Sequence, residues 1–157
     1  MSRRRRGFTL IDLLVAATVL ALLAAIAMPA YRSQVLRSHR ALARAVLVDL
    51  AAKLEVAALH GGRYPSDFDF LFAGGDPLLA GRDRYALLAS GASAAVDDDM
   101  GIYEIRLESL TASGRDFRLS ATAVHGQAAD RQCRVLSLDS AGRRLPLASA
   151  GRDCWGR

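Results

Sequence analysis

The chain has 157 residues, enough for one domain with a modest hydrophobic core. Its formal net charge is +5, but four of its 21 basic side chains form one run, Arg3–Arg6. The other 17 basic side chains stand against 16 acidic ones, a net charge of +1. The charge of the whole chain therefore does not by itself indicate a nucleic-acid-binding protein. A basic run before an apolar segment is instead typical of a membrane-topology signal.

An apolar segment follows the arginines and continues to Ala30, with Gly7 and Phe8 at its start. About 20 apolar residues are enough to span the hydrocarbon core of a bilayer. One carboxylate, Asp12, lies within this segment. A charge at membrane depth costs roughly 2.5–3.5 kcal/mol on insertion scales, so such a residue usually marks a function. Pro29 predicts a kink near the end of the segment, because proline lacks an amide hydrogen.

The order of these residues resembles the type IV prepilin signature. In that family a peptidase removes a basic leader after a glycine, the new N-terminal residue is N-methylated, and an acidic residue lies fifth in the mature chain. The resemblance implies cleavage after Gly7, N-methylation of Phe8 as the new N-terminus, and an assembly role for Asp12 and Pro29. It also implies the partners, which are a prepilin peptidase and methyltransferase, the inner-membrane assembly machinery and other pilin subunits.

Asp12 stands where glutamate is usual in the family, so its reach is one methylene shorter. A helix glycine that major pilins often carry is Ala21 here. We expect Asp12 to neutralise the amine of Phe8, in its own chain or in a neighbouring subunit. Opposite charges attract strongly in a low dielectric, and either one alone is costly to bury. The alternative is that Asp12 only stabilises the positive end of the helix dipole.

Three other kinds of segment share parts of this N-terminal pattern. An ordinary secretory signal has a basic start and an apolar run, and Ala25-Ile26-Ala27 could serve as its cleavage site. Its apolar region is usually about 7–15 residues long and has no use for an internal carboxylate. A twin-arginine signal and a plain transmembrane anchor remain open. The mass of the mature N-terminus distinguishes all four.

Helical periodicity continues beyond the apolar segment to His60, and Gly61-Gly62 predicts the helix end. One face carries Arg37, Arg40 and Arg44. Another face is predicted to be a buried apolar stripe of Leu36, Ala43, Leu47, Leu50, Leu54 and Ala58. The sequence predicts a cleaved leader at residues 1–7 and a transmembrane or filament-core half of the helix at 8–30. The amphipathic half of the helix is predicted at 31–60 and a globular head at 61–157.

Within the head we predict a connecting loop over residues 61–100 and an antiparallel sheet over 101–142. Ser66 with Asp69 predicts a capped short helix, and residues 85–88 predict a short strand or one helical turn. Alternating residues predict strands at 103–107, 117–123 and about 132–138, with a turn at 139–142. A sheet packed on the second half of a long helix is an α+β arrangement, and it resembles the pilin fold.

Cys133 and Cys154 both lie in the final 25 residues. Because the resemblance places this part outside the cytoplasm, we expect a disulfide rather than a metal site or a reactive thiol. The bridge would bound a C-terminal region, 133–154. The ending Cys154-Trp155 is most similar to that of PilE-type minor pilins. The same resemblance predicts a single pass through the bacterial inner membrane, with the head in the periplasm, and then an extracellular pilus.

Arg143, Arg144 and Arg152 lie close to Trp155 in the sequence. In a DNA-uptake pilin such a patch could hold phosphates and stack a base, whereas a solvated loop is the other interpretation. The run Asp97–Asp99 lacks the ligand spacing of a calcium loop, and the three histidines are scattered, so we expect no metal and no cofactor. Single serines and cysteines without a placed base indicate no enzyme.

The predicted function is that of a structural subunit, a minor pilin of a type IV pilus that supports adhesion, twitching motility or DNA uptake. One alternative is a pilin whose C-terminal loop is a module for binding DNA or a surface receptor. Another alternative is a pseudopilin of a type II secretion system.

Overall fold

The computed structural model describes residues 9–71, 81–96, 98–145 and 154–156. The chain divides into two compact units, Met1–Val35 and Leu36–Arg157. Gly7 and Phe8, the predicted processing residues, lie outside the described residues, as does Arg152.

Helix α1 spans Leu10–Gly61 and supplies all the described structure of the first unit except Thr9. Its large apolar side chains are exposed in this unit, for example Leu10 at 82% and Ile26 at 74%. By length and composition, α1 is apolar enough to cross a membrane. Pro29 lies inside the helix, which continues on both sides of it, and the kink stays a prediction.

In the described part of the second unit, six strands form one antiparallel sheet: β1 Arg84–Leu88, β2 Ser93–Ala94, β3 Gly101–Ser109, β4 Phe117–Ala123, β5 Val135–Asp139 and β6 Arg144–Leu145. Their order across the sheet is β2-β1-β3-β4-β5-β6. The central pair is long and regular, with Tyr103 opposite Ala123 and Ser109 opposite Phe117. The outermost strands, by contrast, contain two residues each.

The core lies between α1 and one face of the sheet, which confirms the predicted α+β architecture. The predicted stripe is buried along its middle, at Ala43, Leu47, Leu50 and Leu54, and half-buried at Leu36 and Ala58. Because side chains alternate between the two faces of a strand, every second residue faces the helix. These residues include Tyr85, Leu87, Tyr103, Ile105, Leu107, Phe117, Leu119, Ala121 and Leu136.

The sheet is wider than the sequence indicates. Strand β1 confirms the short strand predicted at residues 85–88, whereas β2 lies in the region predicted as a connecting loop, residues 61–100, and β6 follows the predicted turn at 139–142. A strand of two residues cannot show alternation, so the pattern could not indicate β2 or β6. The predicted third strand begins only at Val135, because Arg131–Cys133 forms a 3₁₀ turn.

The short helix predicted after residue 66 is a 3₁₀ helix, Asp69–Leu71. Its cap is different from the predicted one. The amide of Asp69 donates a hydrogen bond of 3.1 Å to Asp67 Oδ1, while the hydroxyl of Ser66 is directed to the Asp67 carboxylate at 3.3 Å. Asp67 caps this helix because an aspartate side chain readily accepts a hydrogen bond from the amide two residues further along the chain.

Candidate functional site

A disulfide joins Cys133 and Cys154, as predicted, with the two Cα atoms 5.4 Å apart. Both cysteines are buried. Cys154 Sγ also lies 3.5 Å from the carbonyl oxygen of Gln132. The bridge therefore fixes the end of the chain beside the 3₁₀ turn Arg131–Cys133, which precedes β5.

Trp155 is held in place by two residues of β6. Its Nε1 donates a hydrogen bond of 2.8 Å to the carbonyl oxygen of Leu145. The guanidinium carbon of Arg144 lies 5.5 Å from the centroid of the indole ring, which is cation–π geometry. Because both the ring nitrogen and the ring itself are engaged, the indole has a defined orientation.

A groove of about 480 Å³ opens beside this pair of side chains. We call it the arginine–tryptophan groove. Val48, in its wall, is 47% exposed. The groove therefore combines an apolar helix surface, an aromatic ring and two guanidinium groups. Its lining consists of Arg44, Ala45, Val48, Asp49, Ala52, Arg144 and Trp155.

The two arginines of the groove are not paired with any described carboxylate. Among the described residues, no carboxylate lies within ion-pairing distance of Arg44 or Arg144. The carboxylate in the groove wall, Asp49, is paired with Lys53 at 2.7 Å, one turn along α1. Two guanidinium groups that line one groove repel each other, and an anion between them removes that repulsion. Guanidinium groups also match phosphate geometry well, so the groove is suited to phosphates.

Arg44 was missed by the sequence prediction of ligand contacts. The pattern places it on a helix face with Arg37 and Arg40, far from Trp155 in the sequence. In the structure, Gly156 has a φ of 63°, and a Cβ atom there would overlap the Arg44 guanidinium. The end of the chain thus lies directly against Arg44, a proximity that no periodicity could show.

Arg143 does not line the groove. Its Nε donates a hydrogen bond of 2.7 Å to Asp139 Oδ2, and its amide donates one of 2.9 Å to Oδ1. Burial alone would raise the pKa of Asp139, but these hydrogen bonds hold that pKa below its ordinary value. The charge of Arg143 is therefore compensated within its own turn, unlike that of Arg144.

A larger cavity, of about 1100 Å³, lies at the end of α1 beside the turn between β3 and β4. Tyr64 lines it, but the hydroxyl of Tyr64 already lies 3.0 Å from both carboxylate oxygens of Glu55. Burial and this hydrogen bond raise the pKa of Tyr64. The charged side chains along this cavity, Arg63 and Asp67, have opposite signs, so the cavity lacks the pair of cations found in the groove. We therefore place the candidate site at the smaller arginine–tryptophan groove.

Asp12 forms a reciprocal pair of contacts with Thr9 at the start of α1. Its Oδ2 accepts hydrogen bonds from the Thr9 amide at 3.0 Å and the Thr9 hydroxyl at 2.8 Å. The amide of Asp12 in turn donates to the Thr9 hydroxyl at 3.2 Å. This pattern is a capping box. Asp12 therefore stabilises the helix start within one chain, while its predicted pairing with the amine of Phe8 stays a prediction.

No group of three His, Cys, Asp or Glu side chains suited to a metal ion occurs among the residues that the structure describes. Of the acidic run considered for calcium, Asp97 lies outside those residues. Asp98 Oδ1 accepts a hydrogen bond of 2.8 Å from the amide of Met100. Asp98 thus stabilises its own turn.

Comparison with family models matches residues 29–137, more than two thirds of the chain, to "Type IV minor pilin ComP, DNA uptake sequence receptor". Residues 2–28 match "Prokaryotic N-terminal methylation motif". Among solved structures, the chain is similar to a type IV pilin from Shewanella oneidensis, with 24% identity over 78% of this chain and 99% of that chain, and a TM-score of 0.48. No curated protein matches the chain.

Proposed function

Because the chain belongs to the family of type IV minor pilins matched over residues 29–137, we propose that it binds DNA through the arginine–tryptophan groove. The family consists of pilus subunits, so the pseudopilus alternative loses its support. The family model bears the description of a DNA uptake sequence receptor, which favours DNA over a surface receptor as the ligand. The match ends before Arg144 and Trp155, so the choice of these residues rests on their geometry.

The observation that carries the proposal is the pair of arginines, unpaired with any described carboxylate, beside an oriented indole. Arginines that neutralise DNA phosphates release condensed counterions, which supplies much of the affinity for DNA. An aromatic ring that stacks on a base adds about 1–3 kcal/mol. Arg44, Arg144 and Trp155 bring both contributions to one groove, whose cavity of about 480 Å³ is open to solvent on the surface of the second unit.

DNA binding by the processed full-length protein in detergent micelles tests the proposal. We expect Trp155→Ala to weaken binding roughly 5- to 150-fold, the equivalent of about 1–3 kcal/mol. Arg144→Gln should weaken binding and lower the slope of log affinity against log salt by about 1. The measurement is fluorescence anisotropy of labelled duplex and single-stranded DNA at several salt concentrations.

Arg115→Gln is the matched control, because Arg115 is an exposed arginine on the β3–β4 turn that forms no ion pair with a described carboxylate. It removes the same charge and should leave the affinity close to that of the wild type. Absence of DNA binding by the wild type, or equal affinities for Trp155→Ala and this control, would contradict the proposal.

Processing and location follow from the same family membership. We propose that a prepilin peptidase cleaves after Gly7 and that a methyltransferase N-methylates Phe8. The methylation-motif match over residues 2–28 supports both steps. The apolar helix would then anchor the subunit in the inner membrane, with the second unit in the periplasm, until assembly machinery adds it to a pilus. We assign it a structural role, without enzymatic activity.

Asp12 offers a test of assembly that separates its two possible roles. Asp12→Asn keeps an oxygen that can accept from Thr9, whereas Asp12→Ala loses both that acceptor and the charge. If the negative charge neutralises the amine of a subunit, both variants should be processed but poorly incorporated, because an unpaired buried charge is costly. Immunoblots of sheared pili and of whole cells give the incorporated fraction.

Asp12→Glu, which restores the usual family residue, should be incorporated at least as well as the wild type. Normal incorporation of Asp12→Asn would show that the capping box, and not the charge, is what assembly requires.

A further inference from the structure

The segment between β4 and β5 is fixed to α1 by buried polar contacts. Arg40 forms a bidentate ion pair with Asp130, with Nε to Oδ2 at 2.9 Å and Nη2 to Oδ1 at 2.9 Å. The exposed fractions of the two side chains are 14% and 6%. Gln127, which is 2% exposed, donates to the Tyr103 hydroxyl at 3.1 Å and to the carbonyl oxygen of Leu36 at 3.2 Å. The position of this segment relative to the helix is therefore well defined.

Two exposed arginines follow directly on this fixed segment. Arg131 begins the 3₁₀ turn Arg131–Cys133, and Arg134 comes immediately after it. Neither forms an ion pair with a carboxylate in the described ranges. The neighbouring carboxylate, Asp130, is already bound by Arg40. The turn thus presents two cations whose charge no described carboxylate compensates.

This turn lies close to the arginine–tryptophan groove. The Cα atoms of Cys133 and Cys154 are 5.4 Å apart. Arg134 directly follows Cys133 in the sequence, and Trp155 directly follows Cys154. Since consecutive Cα atoms are about 3.8 Å apart, the Cα atoms of Arg134 and Trp155 lie within about 13 Å. Along α1, Arg40 is one turn from Arg44, about 6 Å at 1.5 Å per residue. The helix thus holds the turn and the end of the chain side by side.

We propose that Arg131 and Arg134 extend the DNA surface beyond the groove by binding backbone phosphates, with the Arg40–Asp130 pair as the positioning contact. This inference rests on the proposed function and adds a second site of contact to it. Phosphate contacts fix the register of a protein on DNA and carry no sequence information directly. The contribution of the two arginines to the affinity should therefore be the same for every DNA sequence. Trp155, by contrast, would contact a base.

The salt dependence of DNA binding tests this inference. Each phosphate contact contributes about 0.9 to the slope of log affinity against log salt for duplex DNA. The double variant Arg131→Gln/Arg134→Gln should lower the slope by about 2. When salt is raised from about 50 to 200 mM, the factor by which the affinity of this variant falls should be about tenfold smaller than the factor for the wild type. The change should be the same for two duplexes of unrelated sequence, measured by anisotropy with the full-length protein.

The controls separate this inference from the proposed function. Arg63→Gln/Arg115→Gln removes two exposed arginines at the other end of α1 and should leave the slope unchanged. One outcome is that Trp155→Ala weakens binding while Arg131→Gln/Arg134→Gln has the same slope of log affinity against log salt as this control. In that case the inference is wrong and the proposed function stands. If the wild type does not bind DNA, both are wrong. Circular dichroism of each variant checks that the fold is retained, which we expect because both arginines are exposed.

Discussion

Asp130→Ala is expected to destabilise the second unit by about 3–5 kcal/mol, the usual cost of breaking a buried ion pair by removing one partner. The variant would leave the guanidinium of Arg40, which is 14% exposed, without the Asp130 carboxylate. The three hydrogen bonds that Arg40 donates to Asp130 would be lost with the carboxylate. Asp130 is 6% exposed, so water has little access to the position that its carboxylate leaves. Denaturant unfolding of the full-length protein in micelles, followed by the fluorescence of Trp155, measures the loss.

Two further variants test whether the loss comes from leaving one buried charge unpaired. Arg40→Met/Asp130→Leu removes both charges and should recover most of the stability, because an apolar pair of similar volume often replaces a buried ion pair without loss. Lys53→Met breaks the exposed Asp49–Lys53 pair, where both side chains are more than half exposed, and should cost less than about 1 kcal/mol. A loss below about 1 kcal/mol for Asp130→Ala would show that the pair does not hold the segment in place.

Cys133→Ser/Cys154→Ser should lower stability by about 3 kcal/mol and also weaken DNA binding. The chain-entropy model gives this free energy for a bridge that closes a loop with a sequence separation of 21. DNA affinity should fall because the bridge, together with the contacts of the indole to Leu145 and Arg144, keeps Trp155 in the groove. Denaturant unfolding of the oxidised wild type and the double serine variant measures the first effect, and anisotropy measures the second.

A double-mutant cycle distinguishes the two effects of the bridge. If the bridge acts on DNA binding by placing the indole, adding Trp155→Ala to the serine variant should cause little further loss of affinity. Full additivity of the two losses would show that the bridge and Trp155 act independently. Because both cysteines are buried, a reductant should have the same effect as the serines only after the protein has been unfolded.

The long helix and the central strands could be predicted from the sequence because each repeats one pattern many times. The stripe around Leu47 recurs at helical spacing, and β3 and β4 alternate over nine and seven residues. Strands β2 and β6 have two residues each, too few for any period. They form because β1 and β5 leave backbone groups available for pairing, which is a property of the assembled sheet.

The candidate site was predictable only in part, because its residues come from distant parts of the sequence. Arg144 and Trp155 were found because both lie near the end of the chain, close to Cys154. Arg44 reaches them only through the packing of the chain end on α1. Arg143 looked equivalent to Arg144 in the sequence, but the turn after β5 pairs it with Asp139. Local hydrogen bonds of this kind decide which arginine remains available to a ligand.

The short outermost strand β2 has a consequence for how subunits pack in a filament. A long open border would present a row of unpaired amide and carbonyl groups to which a second copy could add a strand. At one border the outermost strand, β2, has only two residues, Ser93–Ala94. We therefore expect neighbouring copies to contact this border mainly through side chains. Subunits could then be added and withdrawn repeatedly without their sheets fusing into an irreversible aggregate.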